Sequence, residues 1–92
     1  MKSILQDTKE CFITHATEGL HKHHIYPGYG TRNICEREGF YIWLIPRLHN
    51  MSDDGIHFNK GFDLYVKKLC QEKYEETHTR EEFMRLIGKN YL

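Results

Sequence analysis

The pattern of apolar and polar residues first predicts a pair of strands. Residues 40–45, FYIWLI, are aromatic and β-branched, and Pro46 stops the run, which is typical of a buried strand. Residues 20–26 predict a shorter extended segment that Pro27 and two glycines end. Between them we expect a loop over residues 28–33 and a helical turn over residues 34–38, closed by Gly39. The pattern therefore indicates a hairpin with a long connection.

The second half of the chain predicts two helices. Residues 59–76 have apolar side chains at helical spacing, and the predicted buried stripe consists of Phe58, Phe62, Tyr65, Val66, Leu69 and Cys70. A second helix is expected to begin at Thr79, which with Glu82 matches a capping box, and to end at Gly88.

These elements predict an α+β fold, with an antiparallel hairpin packed on a long helix and closed by a short C-terminal helix. A chain of 92 residues has room for one core, so we expect a single domain over residues 1–92. Its motif core would span residues 20–59 and its helical support residues 59–92. No apolar run approaches the ~20 residues that span a bilayer, and the start lacks the apolar core of a signal peptide. We expect a cytoplasmic protein with no membrane partner.

Composition narrows the function classes. Three cysteines are too few for a four-cysteine zinc site within one chain. Their lack of paired spacing counts against a mixed site of Cys11 with histidines but leaves it open. Thirteen basic and thirteen acidic residues cancel, which counts against a purely electrostatic grip on nucleic acid. Residues 20–50 nevertheless carry four basic and two acidic side chains, a local positive excess.

Histidines are concentrated in one part of the chain. Five of the seven lie between residues 20 and 59, namely His21, His23, His24, His49 and His57. Imidazole is the commonest metal ligand and the side chain best suited to proton transfer near neutral pH. This segment is therefore predicted to hold a metal or proton-transfer site, whereas His21 by itself is expected to be a surface or strand residue.

The order of these motifs resembles the ββα-metal fold of HNH endonucleases. In sequence order they are an extended His-His-Ile-x-Pro, a loop, an aromatic strand, His-Asn, a further histidine and a helix. In that family a hairpin and a helix hold one divalent metal ion. The resemblance therefore implies a metal-dependent endonuclease that hydrolyses phosphodiester bonds in DNA.

The resemblance also implies roles for individual residues. His23 matches the first metal ligand, and His24, which follows it, matches the general base. His49 matches the histidine after the second strand, and the last ligand would be His57 or, alternatively, Asp53. Imidazole ligands suit zinc and nickel, whereas ligation by Asp53 would favour manganese or magnesium. Arg32 and Arg47 would contact phosphate or, alternatively, be ordinary surface arginines. Asn50 would have a structural role.

More narrowly, residues 11–92 resemble small HNH-type proteins encoded by phages. The shared features are the early His-x-His-His, Arg32 in a glycine-rich loop, the segments 49–52 and 55–59, and the ending 88–92. This resemblance implies a protein of the host cytoplasm. We expect a chain of this length to lack a separate DNA-reading module, so it would cut with little sequence preference or rely on a homodimer or a partner protein for specificity.

Two departures from the family pattern favour an alternative, a catalytically inactive adaptor of the same fold that binds nucleic acid or protein. Relatives often carry Cys-x-x-Cys and Cys-x-x-His, but here the matching positions read Cys11-x-x-Thr14 and Ile45-x-x-Leu48, which predicts apolar packing in place of a second zinc. The asparagine central to the family motif also has no certain counterpart, the residues of that region being Thr31, Asn33 and Phe40.

A third alternative is a structural zinc protein. The number of protein ligands distinguishes such a structural site from a catalytic one. An open coordination position is typical of a catalytic site, and four protein ligands are typical of a structural one.

Overall fold

The computed structural model describes residues 2–51 and 55–92 and has, within those ranges, two strands and three α-helices. Strand β1 spans His21–His24, helix α1 Thr31–Glu38, strand β2 Tyr41–Leu44, helix α2 Lys60–Tyr74 and helix α3 Arg80–Ile87. A single π-helical turn, Arg47–Met51, follows β2. The predicted α+β architecture of an antiparallel hairpin with helices is confirmed at this level. None of the helices in these ranges is long and apolar enough to cross a membrane.

The hairpin pairs β1 with β2 in antiparallel register, with His21 opposite Leu44 and His24 opposite Tyr41. Both strands are shorter than predicted. The prediction for the connection between the strands was also partly wrong, because α1 begins at Thr31 rather than at residue 34. Thr31 and Asn33 have modest helix propensity and follow Gly28 and Gly30, so the sequence pattern indicated a loop there.

An aromatic cluster fills the core between the hairpin and the helices. The rings of Tyr26, Phe40 and Phe83 are at most 1% exposed, and Tyr26 meets each of the other two edge to face, with centroids 5.5 and 5.4 Å away. The Tyr26 hydroxyl donates to the Lys67 carbonyl at 2.6 Å. This bond ties the end of the hairpin to α2 and satisfies the buried phenol.

The buried face of α2 differs from the predicted stripe. Val66, Cys70 and Tyr74 are buried and follow each other at four-residue intervals, so they lie on one face of the helix. Phe58 and Tyr65, by contrast, are 62% and 57% exposed. The prediction was wrong at these two positions because hydrophobicity does not distinguish a core residue from an exposed aromatic one.

The helix boundaries near the C-terminus are as the sequence predicts. The Thr79 hydroxyl accepts from the Glu82 N–H at 3.0 Å, and the Glu82 carboxylate accepts from the Thr79 N–H at 2.9 Å. This is the predicted capping box. Gly88 ends α3 in the left-handed conformation, with φ of 83°.

The N-terminal segment covers the free edge of β2. The Ile4 N–H donates to the Gly39 carbonyl at 3.0 Å and the Phe12 N–H to the Trp43 carbonyl at 2.8 Å. The Trp43 N–H donates in turn to the Gln6 side-chain oxygen at 2.9 Å. These bonds occupy groups that an exposed strand edge would leave unpaired. The amino-acid pattern of residues 2–19 did not predict this role.

Candidate metal centre

Strand β1 sorts its four side chains onto two faces. Successive residues of a strand point to opposite sides, so His21 and His23 share one face, and Lys22 and His24 share the other. His23 is opposite Ile42 of β2 and is only 4% exposed. The strand ends at His24, where the chain bends toward Pro27.

Backbone hydrogen bonds place His57 beside His49. The Ile56 N–H donates to the Leu48 carbonyl at 2.7 Å, and the His57 N–H donates to the His49 carbonyl at 3.2 Å. Leu48 and Ile56 are buried at 7% and 2% exposure, which fixes both segments to the core. The π-helical turn after β2 and the turn before α2 therefore present their histidines to the same place.

Three histidines converge there. His23, His49 and His57 each offer one ring nitrogen, and these nitrogens all lie within 4.8 Å of one another. The Nε2 atoms of His49 and His57 are 3.0 Å apart. The His23 ring centroid lies 5.3 Å from that of His49 and 5.1 Å from that of His57. The structure thus brings together the three histidines that the family resemblance selected as ligands.

The cluster fits a divalent metal ion of the transition series. The Nε2 atom of His23 is buried and has no hydrogen-bond partner among the described residues, and a buried polar atom without a partner is costly. Burial, helped by the neighbouring His49 and His57, lowers the pKa of His23 to about 3. Burial likewise lowers the pKa of His49 to about 4. Both rings are therefore neutral near pH 7, which is the form that binds metal.

Among the described residues these three histidines are the whole cluster. Cys11 lies buried in the core and is not part of it. The mixed cysteine–histidine site that the sequence left open is therefore not formed by these residues. Asp53, the alternative ligand, lies outside the described residues.

His21 contacts the cluster through the His49 ring, and the sequence pattern did not predict this contact. Its Nδ1 lies 3.1 Å from the Nδ1 of His49. The other ring nitrogen of His49, Nε2, is the one that faces His57. For the His49 Nε2 lone pair to face a cation, the ring proton must be on Nδ1, where it can be donated to His21. The period-two spacing of His21 and His23 in a strand was the available signal, because it places both on one face.

His24, the predicted general base, lines the same cavity as the three histidines. Its Nε2 is buried without a hydrogen-bond partner among the described residues. The Glu36 carboxylate of α1 has an oxygen 3.6 Å from Nε2. Glu36 also accepts from the Lys22 ammonium at 3.1 Å, a hydrogen bond that lowers the pKa of the carboxyl group.

The cavity has a volume of about 380 Å³ and carries positive charge. Lys22 and Arg32 line it, and none of its described lining residues is acidic. The other two polar candidates lie on the π-helical turn. Arg47 and Asn50 are both exposed and are not among the residues lining the cavity. The structure thus brings Arg32, but not Arg47, to the three histidines.

Comparison of the chain with protein-family models, with curated proteins and with solved structures finds no match. Function must therefore be inferred from the geometry of the site. That geometry combines three neighbouring histidines, a further half-buried histidine and two cationic side chains around one cavity.

Proposed function

We propose that this chain is a metal-dependent endonuclease of the HNH type, of the kind that phages encode, and that it hydrolyses phosphodiester bonds in DNA. The observation that carries the proposal is the convergence of His23, His49 and His57 in a cavity that His24 also lines. Three protein ligands leave at least one coordination position for a substrate or water, as in catalytic sites.

A divalent cation bound by the three histidines would supply Lewis-acid stabilisation of the charge that develops on the phosphate and the leaving oxygen. His24, whose ring lines the cavity, would take a proton from the attacking water. The water oxygen would then form a bond to phosphorus while the bond to the leaving oxygen breaks. Arg32, on the cavity wall, would hold a non-bridging phosphate oxygen.

Glu36 would assist His24 by stabilising its protonated form. The carboxylate oxygen lies 3.6 Å from the His24 Nε2, so a small movement would bring it within hydrogen-bond distance. Lys22 holds the same carboxylate. The two residues would therefore keep a negative charge next to the base without placing it in the cavity lining.

The donor set favours zinc or nickel over magnesium. The three clustered side chains offer imidazole nitrogen, and magnesium prefers oxygen ligands. Ligation by Asp53 would move the preference toward manganese or magnesium. Arg47, exposed on the π-helical turn, would contact a more distant phosphate, and a second copy or a partner protein would supply sequence specificity.

Plasmid nicking by the purified protein with Zn²⁺, Ni²⁺, Mn²⁺ or Mg²⁺ tests the proposal. We expect nicking by the parent and a fall of about 100-fold or more in both variants. His24→Ala removes the proposed general base, which contributes about 10²- to 10⁴-fold. His23→Ala removes a proposed metal ligand. His15→Asn, a change at an exposed histidine that does not line the cavity, is the matched control and should nick like the parent.

Metal binding, measured separately by calorimetry, distinguishes the two histidines. His24→Ala should bind metal like the parent, whereas His23→Ala should bind it more weakly. Nicking that survives in both variants would exclude this site as its source. A parent that binds metal and DNA without cleaving would support the inactive adaptor of the same fold instead.

A further inference from the structure

We propose that the cavity takes single-stranded nucleic acid, whose unpaired bases stack on two exposed aromatic residues that directly follow cavity-lining residues in the chain, Tyr29 and Phe58. The inference rests on the proposed hydrolysis of phosphodiesters and specifies the substrate class. It concerns residues that neither ligate the metal nor transfer a proton.

Tyr29 projects fully into solvent from the loop before α1. The residue is fully exposed. Gly28 and Gly30, on either side of it, have φ values of 142° and 80°, which glycine adopts readily. Since Pro27 and Gly28 line the cavity, Tyr29 is attached directly to its wall.

Phe58 immediately follows the proposed ligand His57, which lines the cavity. Its side chain is 62% exposed, and its backbone N–H donates to the Gly55 carbonyl at 2.9 Å in a turn. The hydrophobic pattern predicts a core position, but α2 begins after it, at Lys60, and buries Val66 and Cys70 instead. The ring is thus left in water next to a cavity-lining histidine.

A single exposed aromatic residue is common, but two attached to the wall of one cavity suggest a common ligand. The charge of the cavity indicates which ligand. Lys22 and Arg32 line it, and although Glu36 pairs with the Lys22 ammonium, a net positive charge remains at the cavity wall, which suits a polyanion. A positive groove flanked by aromatic rings is how proteins bind single strands, with phosphates in the groove and bases stacked on the rings.

Stacking also favours single strands over duplexes. In a duplex each base face is covered by its neighbours, so a ring can stack only after a base is unstacked. In a single strand the faces are accessible, and each stacked base contributes about tenfold or more to affinity.

The test compares hydrolysis of two substrates by Tyr29→Leu and Phe58→Leu. One is bis(p-nitrophenyl) phosphate, a small phosphodiester without bases, and the other is a single-stranded oligonucleotide carrying 2-aminopurine. We expect kcat/KM for the oligonucleotide to fall at least tenfold more than kcat/KM for the small diester, mainly through KM. Tyr29→Trp, which keeps a stacking ring, should restore the oligonucleotide rate. Tyr65→Leu is the matched control, an aromatic residue that is 57% exposed on α2 and does not line the cavity.

Equal falls on both substrates, or a duplex of the same sequence cleaved faster than the single strand, would overturn the inference while leaving the hydrolysis intact. If neither substrate is hydrolysed, the proposed function fails, and quenching of 2-aminopurine fluorescence on binding still tests the stacking. If the affinity measured by quenching falls about tenfold in Tyr29→Leu, the stacking is supported. If that affinity is unchanged in Tyr29→Leu, the stacking is refuted. DNA and RNA versions of the oligonucleotide identify the preferred sugar.

Discussion

At the scale of single residues, His21 decides which nitrogen of His49 is available to a metal ion. The two Nδ1 atoms are 3.1 Å apart, so one of them must donate a proton to the other. When His49 is the donor, its Nε2 carries a lone pair and faces the Nε2 of His57. His21 therefore acts as a positioning residue for His49, a candidate metal ligand.

Replacing His21 should weaken metal binding without removing a ligand. We expect His21→Leu to lower Zn²⁺ affinity by about 10- to 100-fold, the usual effect of losing a hydrogen-bond partner of a ligand histidine. His21→Asn should retain most of the affinity, because the amide oxygen can accept from the His49 N–H in place of Nδ1. Competition with a chromogenic chelator measures the affinities.

Long-range ¹H–¹⁵N spectra report the tautomer directly. In the parent and in His21→Asn the His49 proton should be on Nδ1, and in His21→Leu both tautomers should be populated. An affinity for Zn²⁺ that is the same in parent and His21→Leu would show that His49 needs no such partner.

At the scale of elements, the direct joint between α1 and β2 depends on Gly39. This residue ends α1 in the left-handed conformation, with φ of 77°. A Cβ at this position would collide with the backbone carbonyl oxygen of Lys2 and crowd Ile4. The joint is therefore constrained twice, by its own dihedral angle and by the N-terminal segment packed against it.

Gly39→Ala and Gly88→Ala separate these two constraints. Gly88 ends α3 with φ of 83°, but a methyl group at this position would meet only open space. Gly88→Ala should therefore lower the free energy of unfolding by about 1–2 kcal/mol, the cost of a left-handed residue with a Cβ. Gly39→Ala should cost more, because the Lys2 backbone must also move. Urea denaturation measures both, and equal losses would show that the N-terminal segment yields freely.

At the scale of the whole molecule, the histidine cluster makes the fold sensitive to pH. Burial lowers the pKa of His23 to about 3, from an ordinary value of 6.5. Between these values the unfolded chain binds a proton that the folded chain does not, so stability rises with pH in this range. Stability from this group is fully present above pH 6.5 and is lost as the pH falls toward 3.

The metal-free protein should accordingly lose about 2 kcal/mol of unfolding free energy through His23 as the pH falls from about 6.5 to about 4.5. When the unfolded chain binds one proton more than the folded chain, the free energy changes by about 1.4 kcal/mol per pH unit. His23→Leu should lose less over the same interval. The acidic groups with lowered pKa values, Glu36 among them, titrate below their ordinary value of 4.5 and so contribute little in this window. Urea titrations in EDTA at several pH values measure the slope, and equal slopes in the two proteins would contradict a neutral, buried His23.

Much of the element order followed from the sequence alone, because its signals are local. The aromatic run before Pro46 predicts β2, and the Thr79–Glu82 capping box and Gly88 predict both ends of α3. Each depends on residues within a few positions of one another. The clustering of histidines between residues 20 and 59 likewise indicated a site, and the resemblance to the HNH family selected the three that the structure brings together.

What the sequence did not determine depends on contacts between distant segments. The role of His21 requires the approach of residue 49, 28 positions away, and the burial of Val66 rather than Tyr65 depends on where α2 packs. The cover over the β2 edge by residues 4–12 is also a long-range contact. Hydrophobic periodicity records which residues are apolar, whereas the tertiary structure decides which of them meet a partner and which, like Tyr29 and Phe58, remain in water.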